Sequence, residues 1–414
     1  MGSSPQSRAA RILIVDDSAV MRSLLRSVVC SDNRLEVVGT ASDGASAIGA
    51  VDSLRPDLIL LDVEMPGMDG LSTLKQIKSK GSRIPVIMCS SLTQRGAKVT
   101  IEALASGASD YVAKPSGQPS RDVAIHTLAQ DLIPKILALT ALQTAASHAS
   151  PPRNGIFSPA PAARPTGKAN PGGLLTLPMQ LLQPLPGNAA PVASSGFPPG
   201  FSPAVVVIGV STGGPAALDI LLPALPADFP VPVLVVQHMP EMFTRLLAER
   251  LDSRCPLRIT EADAGAAIRP GTVYIAKGDW HLEIASAPDR ATDRNSRSPI
   301  PVARLTQEAP ENHCRPAADV LFRTAVAFYG ARVLGVVLTG MGYDGLAGCR
   351  RIREQNGAVI AQDQATSAVW GMPGAVAQAG LANRILPLNQ IVPEILRLAG
   401  RGQREAFELR ESAV

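Results

Sequence analysis

The sequence predicts an α/β protein built from two doubly wound parallel sheets joined by a proline-rich linker. Three observations carry that reading. Short β-branched or apolar runs alternate with helix-like segments in both halves of the chain, the pattern of parallel strands wound by helices. The alternation is interrupted once, over about fifty residues rich in proline, glycine and alanine. The length of 414 residues also exceeds one ordinary core, since single domains commonly run to about 100–200 residues.

In the first half, expected over residues 11–147, the strand candidates are R-I-L-I-V from Arg11, L-E-V-V-G-T from Leu35, L-I-L-L-D-V from Leu58 and I-P-V-I-M-C-S from Ile84. The last helical stretch, roughly Arg121 to Leu142, repeats Val123, Leu128, Leu132, Ile136 and Leu139 at near-helical spacing, which predicts a face that packs on the sheet or docks elsewhere. Residues 148–203 read as a semi-extended linker with one apolar island, Leu174 to Leu182. In the second half, residues 204–400, the runs V-V-V-I-G-V from Val205, V-P-V-L-V-V-Q-H from Val231, G-T-V-Y-I-A from Gly271 and V-L-G-V-V-L-T-G from Val333 restore the alternation. Residues 401–414 read as a charged tail with little structure.

Polar residues stand where these runs end. Asp16 and Asp17 follow the first strand, Asp62 closes the third, Ser90 closes the next, and Lys114 lies in Y-V-A-K-P. Strand ends of an open parallel sheet share the edge where ligands bind. Three carboxylates there repel one another unless a cation intervenes, and an all-oxygen donor set implies Mg²⁺. Lys114 then balances an incoming phosphoryl group and the Ser90 hydroxyl bonds one of its oxygens. Taken singly, each aspartate could simply cap a helix; five such groups at matching strand ends go beyond capping. The motifs V-D-D-S, L-D-V-E-M-P-G-M-D-G, S-S-L-T and K-P resemble the flavodoxin-like receiver domain of bacterial response regulators. The resemblance implies Asp62 as phospho-acceptor, Mg²⁺ on Asp16, Asp17 and Asp62, Ser90 and Lys114 against the phosphate, and Tyr111 as the switch aromatic. A histidine kinase is the phosphodonor it implies.

In the second half, G-V-S-T-G-G-P over residues 209–215 follows a buried strand. A phosphate-binding P-loop needs a lysine and a hydroxyl residue after its last glycine, and Pro215 stands there instead. The spacing fits G-x-S-x-G, in which small residues let the chain turn sharply and expose the Ser211 hydroxyl, with the Thr212 amide offered to an oxyanion. The base candidate is His238, at the end of another strand, while His281 and His313 read as surface residues. Asp344, in L-T-G-M-G-Y-D-G after a fourth strand, supplies a carboxylate to orient the imidazole, and the glycines beside it allow the Met341 amide to turn toward a reacting carbonyl. The order Ser, His, Asp differs from that of α/β-hydrolases. G-V-S-T-G-G-P, V-V-Q-H-M-P, Y-I-A-K-G-D-W-H, R-P-A-A-D-V-L-F, L-T-G-M-G-Y-D-G and G-M-P resemble the Rossmann-like catalytic domain of the CheB chemotaxis methylesterases. That resemblance implies Ser211 as nucleophile, His238 as base, Asp344 as orienter, and Thr212 and Met341 around the oxyanion. It implies a CheA-type kinase partner, methylated chemoreceptors as substrate, a glutamine deamidase side activity, and no cofactor for the hydrolysis itself. It also implies a receiver that covers the serine until Asp62 is phosphorylated.

The chain departs from the family pattern in three places. Its tether is long and proline-rich, which predicts a weaker resting contact between halves. A-P-D-R-A-T-D-R-N-S-R-S-P, Ala287 to Pro299, reads as an insertion whose three arginines could meet acidic receptor helices, and Ala317 stands where a serine is more frequent. A net charge of +4 spread along the chain gives no basic block for DNA, and nothing after Val205 reads as a helix-turn-helix. Five scattered cysteines without a C-x-x-C pair argue against disulfides and fit a reducing cytoplasm. No apolar run reaches the roughly 18 residues of a membrane span. The rival reading is a phosphorylation-gated adaptor without catalysis, which Ser211→Ala would leave working.

Overall fold

The computed structural model describes residues 8–91, 93–115, 118, 120–147, 196–287 and 299–411. The apolar island of the linker and all but the ends of the arginine-bearing insertion lie outside them.

The first half is a five-stranded parallel sheet in the order β2-β1-β3-β4-β5, made of β1 (Ala10–Val15), β2 (Leu35–Ala41), β3 (Leu58–Asp62), β4 (Val86–Ser90) and β5 (Asp110–Ala113). The intervening helices are α1 (Ala19–Val29), α2 (Gly44–Leu54), α3 (Gly70–Ser79), α4 (Gln94–Ala105) and α5 (Arg121–Ser147). β3 and β4 are buried along their whole length, which is why they read as continuous rather than alternating apolar runs. Helix starts follow side-chain capping: Asp43, Asp69 and Thr93 accept from the amides of Ser46, Ser72 and Gly96. α5 is longer than its sequence pattern suggested. Leu128, Leu132, Ile136 and Leu139 join the sheet core, whereas Val123 is exposed.

The second half carries a seven-stranded parallel sheet in the order β14-β13-β12-β6-β7-β9-β8. Its strands are β6 (Val205–Val210), β7 (Val233–Gln237), β8 (Arg258–Glu261), β9 (Thr272–Ile275), β12 (Val333–Val337), β13 (Ala358–Gln362) and β14 (Arg384–Leu386). Helices α6 (Gly214–Leu221), α7 (Glu241–Asp252), α8 (Ala318–Tyr329), α9 (Leu346–Glu354), α10 (Met372–Gln378) and α11 (Leu388–Glu411) cover it. An antiparallel hairpin, β10 (His281–Ser286) with β11 (Pro301–Thr306), stands apart from the parallel sheet. The arginine-bearing insertion is its connection, closed at the base where the Ala287 amide donates to Ile300 O.

Two segments are more ordered than their composition suggested. The end of the linker is seated on the second half: Phe201 is buried, and the Phe197 ring lies under the Arg384 and Arg397 guanidinium groups. Helix α11 runs to Glu411, through the region expected to be an unstructured tail.

The halves pack directly against each other. α4 lies against α6 and α7, and the Tyr111 ring of β5 stacks on Phe243 of α7 with centroids 4.5 Å apart. Val369 is buried in, and Met341 packs against, the apolar cluster that includes α5. The long tether has not left the halves apart.

Candidate active site

Both sheets present their chemistry where strand order reverses, the place at which open α/β sheets bind ligands. In the second sheet that point lies between β6 and β12. Ser211 follows β6, His238 follows neighbouring β7, and the Met341–Asp344 loop follows β12. Backbone bonds continue past the strands and fix these loops: the Ser211 amide donates to Thr339 O at 3.0 Å and the His238 amide to Val210 O at 3.2 Å. Gly213, at φ 78°, turns the chain from β6 into α6, a conformation that glycine adopts without steric cost.

His238 Nε2 lies 2.8 Å from Asp344 Oδ2. Asp344 is itself fixed from several sides. The amides of Ala318 and Asp319 donate to it at 2.6 and 3.1 Å, the Gly345 amide at 3.0 Å, and Asn312 Nδ2 at 3.0 Å. Burial alone would raise the Asp344 carboxyl; the His238 partner and the donated amides more than offset it and hold it below the usual range. For His238, burial acts downward, but its hydrogen bonds with Asp344, which accepts from Nε2, and with Cys314, together with the charges of those groups, lift it to about 10.

Among the described residues no hydrogen bond joins Ser211 Oγ to His238. The second ring nitrogen, Nδ1, instead has Cys314 Sγ at 3.6 Å. The amides of Thr212 and Met341 donate to no protein acceptor among the described residues, so both remain available to an incoming oxyanion. Ser211, Thr212, His238, Met341 and Asp344 all line one cleft of about 680 Å³. Its other wall belongs to the first half, with Asp110, Thr127, Gln130 and Lys135. Thr212 Oγ1 donates to Asp110 Oδ2 at 2.7 Å across that boundary, and the bond is buried. Thr212, whose amide is without a protein acceptor among the described residues, is thus tied to the receiver-like half by its side chain.

Sequence reasoning missed Asn312, Gln237 and Cys314. Gln237 Nε2 donates to Ser211 O at 3.1 Å, beneath the turn. His281, expected at the surface, is 1% exposed: its ring lies 3.2 Å from Ala309 O and accepts the Ala317 amide at Nδ1. It is a packing histidine at the start of β10 in the hairpin, whereas His313 is exposed as expected.

At the reversal point of the first sheet, between β1 and β3, Lys114 Nζ lies 2.8 Å from Asp16 Oδ2 and 2.6 Å from Asp62 Oδ1. Asp16, Asp17 and Asp62 each bring a carboxylate oxygen within 4.8 Å of the others. Asp62 Oδ2 is buried and has no hydrogen-bond partner among the described residues, the signature of an oxygen awaiting a ligand. Burial pushes the Asp62 carboxyl up, against the opposing pull of Lys114. These oxygens fit a hard divalent cation. Ser90 is buried next to them, with Thr100 Oγ1 donating to it at 2.7 Å while its own hydroxyl donates to Ser91 O at 3.1 Å.

The family profile described as CheB methylesterase matches residues 206–395, and that of the response regulator receiver domain matches residues 12–126. A protein-glutamate methylesterase/protein-glutamine glutaminase of Nocardioides sp. is 47% identical over 391 residues, which cover 94% of this chain and 96% of the relative. The chain belongs to the CheB methylesterase family. A relative of the same name from Trichodesmium erythraeum is 43% identical, over 94% of this chain and 99% of its own length. Among solved structures, the CheB methylesterase catalytic domain of Thermotoga maritima is 41% identical, covering 48% of this chain and 99% of its own, with a TM-score of 0.44. The response regulator domain of the same bacterium's CheB is 44% identical, covering 31% of this chain and 94% of its own, with a TM-score of 0.28. Among the described residues no helix is long and apolar enough to cross a membrane.

Proposed function

We propose that this CheB-family chain is a phosphorylation-gated serine hydrolase. It removes methyl groups from glutamate γ-methyl esters on the cytoplasmic bundle of chemoreceptors and deamidates glutamine side chains there. The observation that carries the reading is the His238–Asp344 pair, pinned by four donors and opening onto the cleft that holds Ser211. With Nε2 committed to Asp344, Nδ1 is the nitrogen that takes the Ser211 proton. Ser211 Oγ then bonds to the ester carbon, and the oxygen that gains charge is received by the Thr212 and Met341 amides. The carbon–methoxy bond breaks, methanol leaves with the proton from His238, and water releases glutamate by the reverse proton path.

The receiver closes that cleft. A receptor helix cannot reach Ser211 while Asp110 bonds Thr212 and Tyr111 stacks on Phe243. Asp62 is the phospho-acceptor for a CheA-type histidine kinase, with Ser90 and Lys114 against the phosphoryl oxygens. Asp16, Asp17 and Asp62 would hold the Mg²⁺ that supplies charge neutralisation there. Tyr111 stands on the strand that leads into Lys114, so a change at the phosphorylation site has a short route to the interface.

The test is methanol release from methylated receptor membranes, with and without a small phosphodonor plus Mg²⁺. Release that disappears in Ser211→Ala and rises with phosphorylation of the wild type but not of Asp62→Ala is the expected result. Release unchanged in Ser211→Ala would overturn the nucleophile.

A further inference from the structure

We infer that Cys314 and His238 together form a binding site for a thiophilic divalent cation, with zinc the first candidate, and that its occupation switches the hydrolase off. The switching-off rests on the reading of His238 as the base; the binding site itself does not.

Cys314 Sγ and His238 Nδ1 are 3.6 Å apart. Zinc takes thiolate sulfur at about 2.3 Å and imidazole nitrogen at about 2.0–2.1 Å in a tetrahedral arrangement. Two such ligands on one tetrahedral ion stand about 3.5 Å from each other by that geometry. The pair is therefore already at the spacing a shared ion requires, with little movement of either side chain.

His238 Nε2 is bonded to Asp344 at 2.8 Å, and a metal-bound imidazole characteristically gives its other nitrogen to a carboxylate, which fixes the ring and strengthens it as a ligand. Asp344 is itself held by Asn312 and three backbone amides. His238, Cys314 and Asp344 also group within 4.8 Å of one another. Sulfur and imidazole together select zinc-like ions over magnesium, so this site and the all-oxygen site at Asp62 would not compete for the same cation.

Access and chemistry agree. Both residues line the cleft at the domain boundary together with exposed His313, so the cleft is the route by which an ion would reach them. Binding forms an Sγ–metal and an Nδ1–metal bond and releases to solvent the protons held on those atoms. The lone pair that would take the Ser211 proton is then committed to the ion, so turnover stops without any change at Ser211.

The test uses the full chain and cobalt(II) in place of zinc, because a thiolate on cobalt gives a charge-transfer band in the near ultraviolet. Wild type is expected to show the band, and so is Ser211→Ala, even if the hydrolase reading fails. Cys314→Ser is expected to lose it. Cys30→Ser, which removes an exposed cysteine elsewhere, is expected to keep it. Asp344→Asn is expected to weaken cobalt binding by about 10–100-fold. Zinc is expected to suppress ester hydrolysis by wild type, reversibly with chelator, and to leave whatever activity Cys314→Ser retains unchanged. Absence of the band in wild type, or its persistence in both Cys314→Ser and Cys314→Ala, would overturn the site. A band with no effect of zinc on turnover would leave a metal site and overturn the switch.

Discussion

Asn312 is the residue on which the acidic end of the site depends. Its side-chain amide donates to Asp319 Oδ2 at 2.9 Å and to Asp344 Oδ1 at 3.0 Å, so it separates two carboxylates that would otherwise face each other. Hydrogen bonds to charged groups contribute about 1.5–3 kcal/mol. Asn312→Ala is therefore expected to lower kcat by about ten- to a hundredfold with little effect on KM, because it disturbs an orienting group rather than substrate binding. Steady-state methanol release checks the split. Asp319 carries a second consequence. Burial first, and the Asp344 charge after it, push its carboxyl from 3.8 up to about 6. A raised carboxyl binds its proton more tightly in the fold than in the unfolded chain, so through this group stability falls as pH rises from about 4 to about 6. Asp319→Asn removes that slope. The difference between wild type and variant in chemical denaturation is expected to change over this window by at most about 3 kcal/mol, and to stay flat above it.

At the scale of elements, the turn from β6 into α6 decides where Ser211 points. Gly213 has φ 78°, and an added Cβ would lie 2.5 Å from Ala368 Cβ. Gly265 has nearly the same φ, 79°, with no heavy atom near such a Cβ. Both alanine variants incur the left-handed penalty of about 1–2 kcal/mol, visible in thermal melts. Gly213→Ala is expected to lose more, and to lose hydrolysis as well; equal melts and equal activities would show that the turn tolerates a side chain. The same elements explain how far the sequence could be read. β3, β4, β6 and β12 announced themselves because strands buried on both faces are unbroken apolar runs, and their polar terminators landed at the two reversal points. The β10–β11 hairpin did not, since it is antiparallel and its alternation is short. Asn312 and Cys314 escaped for a related reason: they lie in an irregular turn, with Asn312 and His313 both at positive φ, where no periodicity marks a side chain's direction. His281 misled because a histidine beside Trp280 in a turn-rich stretch gives no sign that it opens β10 and is buried against Ala309 and Ala317.

Across the whole molecule, the interface is built from residues that flank Ser211 in one half and Lys114 in the other. Thr212 and Met341, beside the serine, meet Asp110 and the α5 cluster, and Tyr111 meets Phe243. Lys135 supports this wall from behind, 2.8 Å from Tyr111 O and 3.0 Å from Asp131. On the proposed function, a receiver held in this way blocks access to Ser211 and engages the Thr212 side chain at once, so opening would be an equilibrium between closed and accessible forms that phosphorylation biases. An aromatic stack contributes about 0.5–1.5 kcal/mol beyond its buried area, and 1.4 kcal/mol is about tenfold in such an equilibrium. Tyr111→Ala is thus expected to raise hydrolysis by the unphosphorylated chain by about three- to tenfold. It should reduce the stimulation by phosphodonor by the same factor, because the fully open form sets a common ceiling. Initial rates on receptor membranes, with and without phosphodonor, measure both numbers. A raised basal rate with undiminished stimulation would mean that Tyr111 restrains the cleft without lying on the route from Asp62, and the switch would then have to run through α4 and its contacts with α6 and α7.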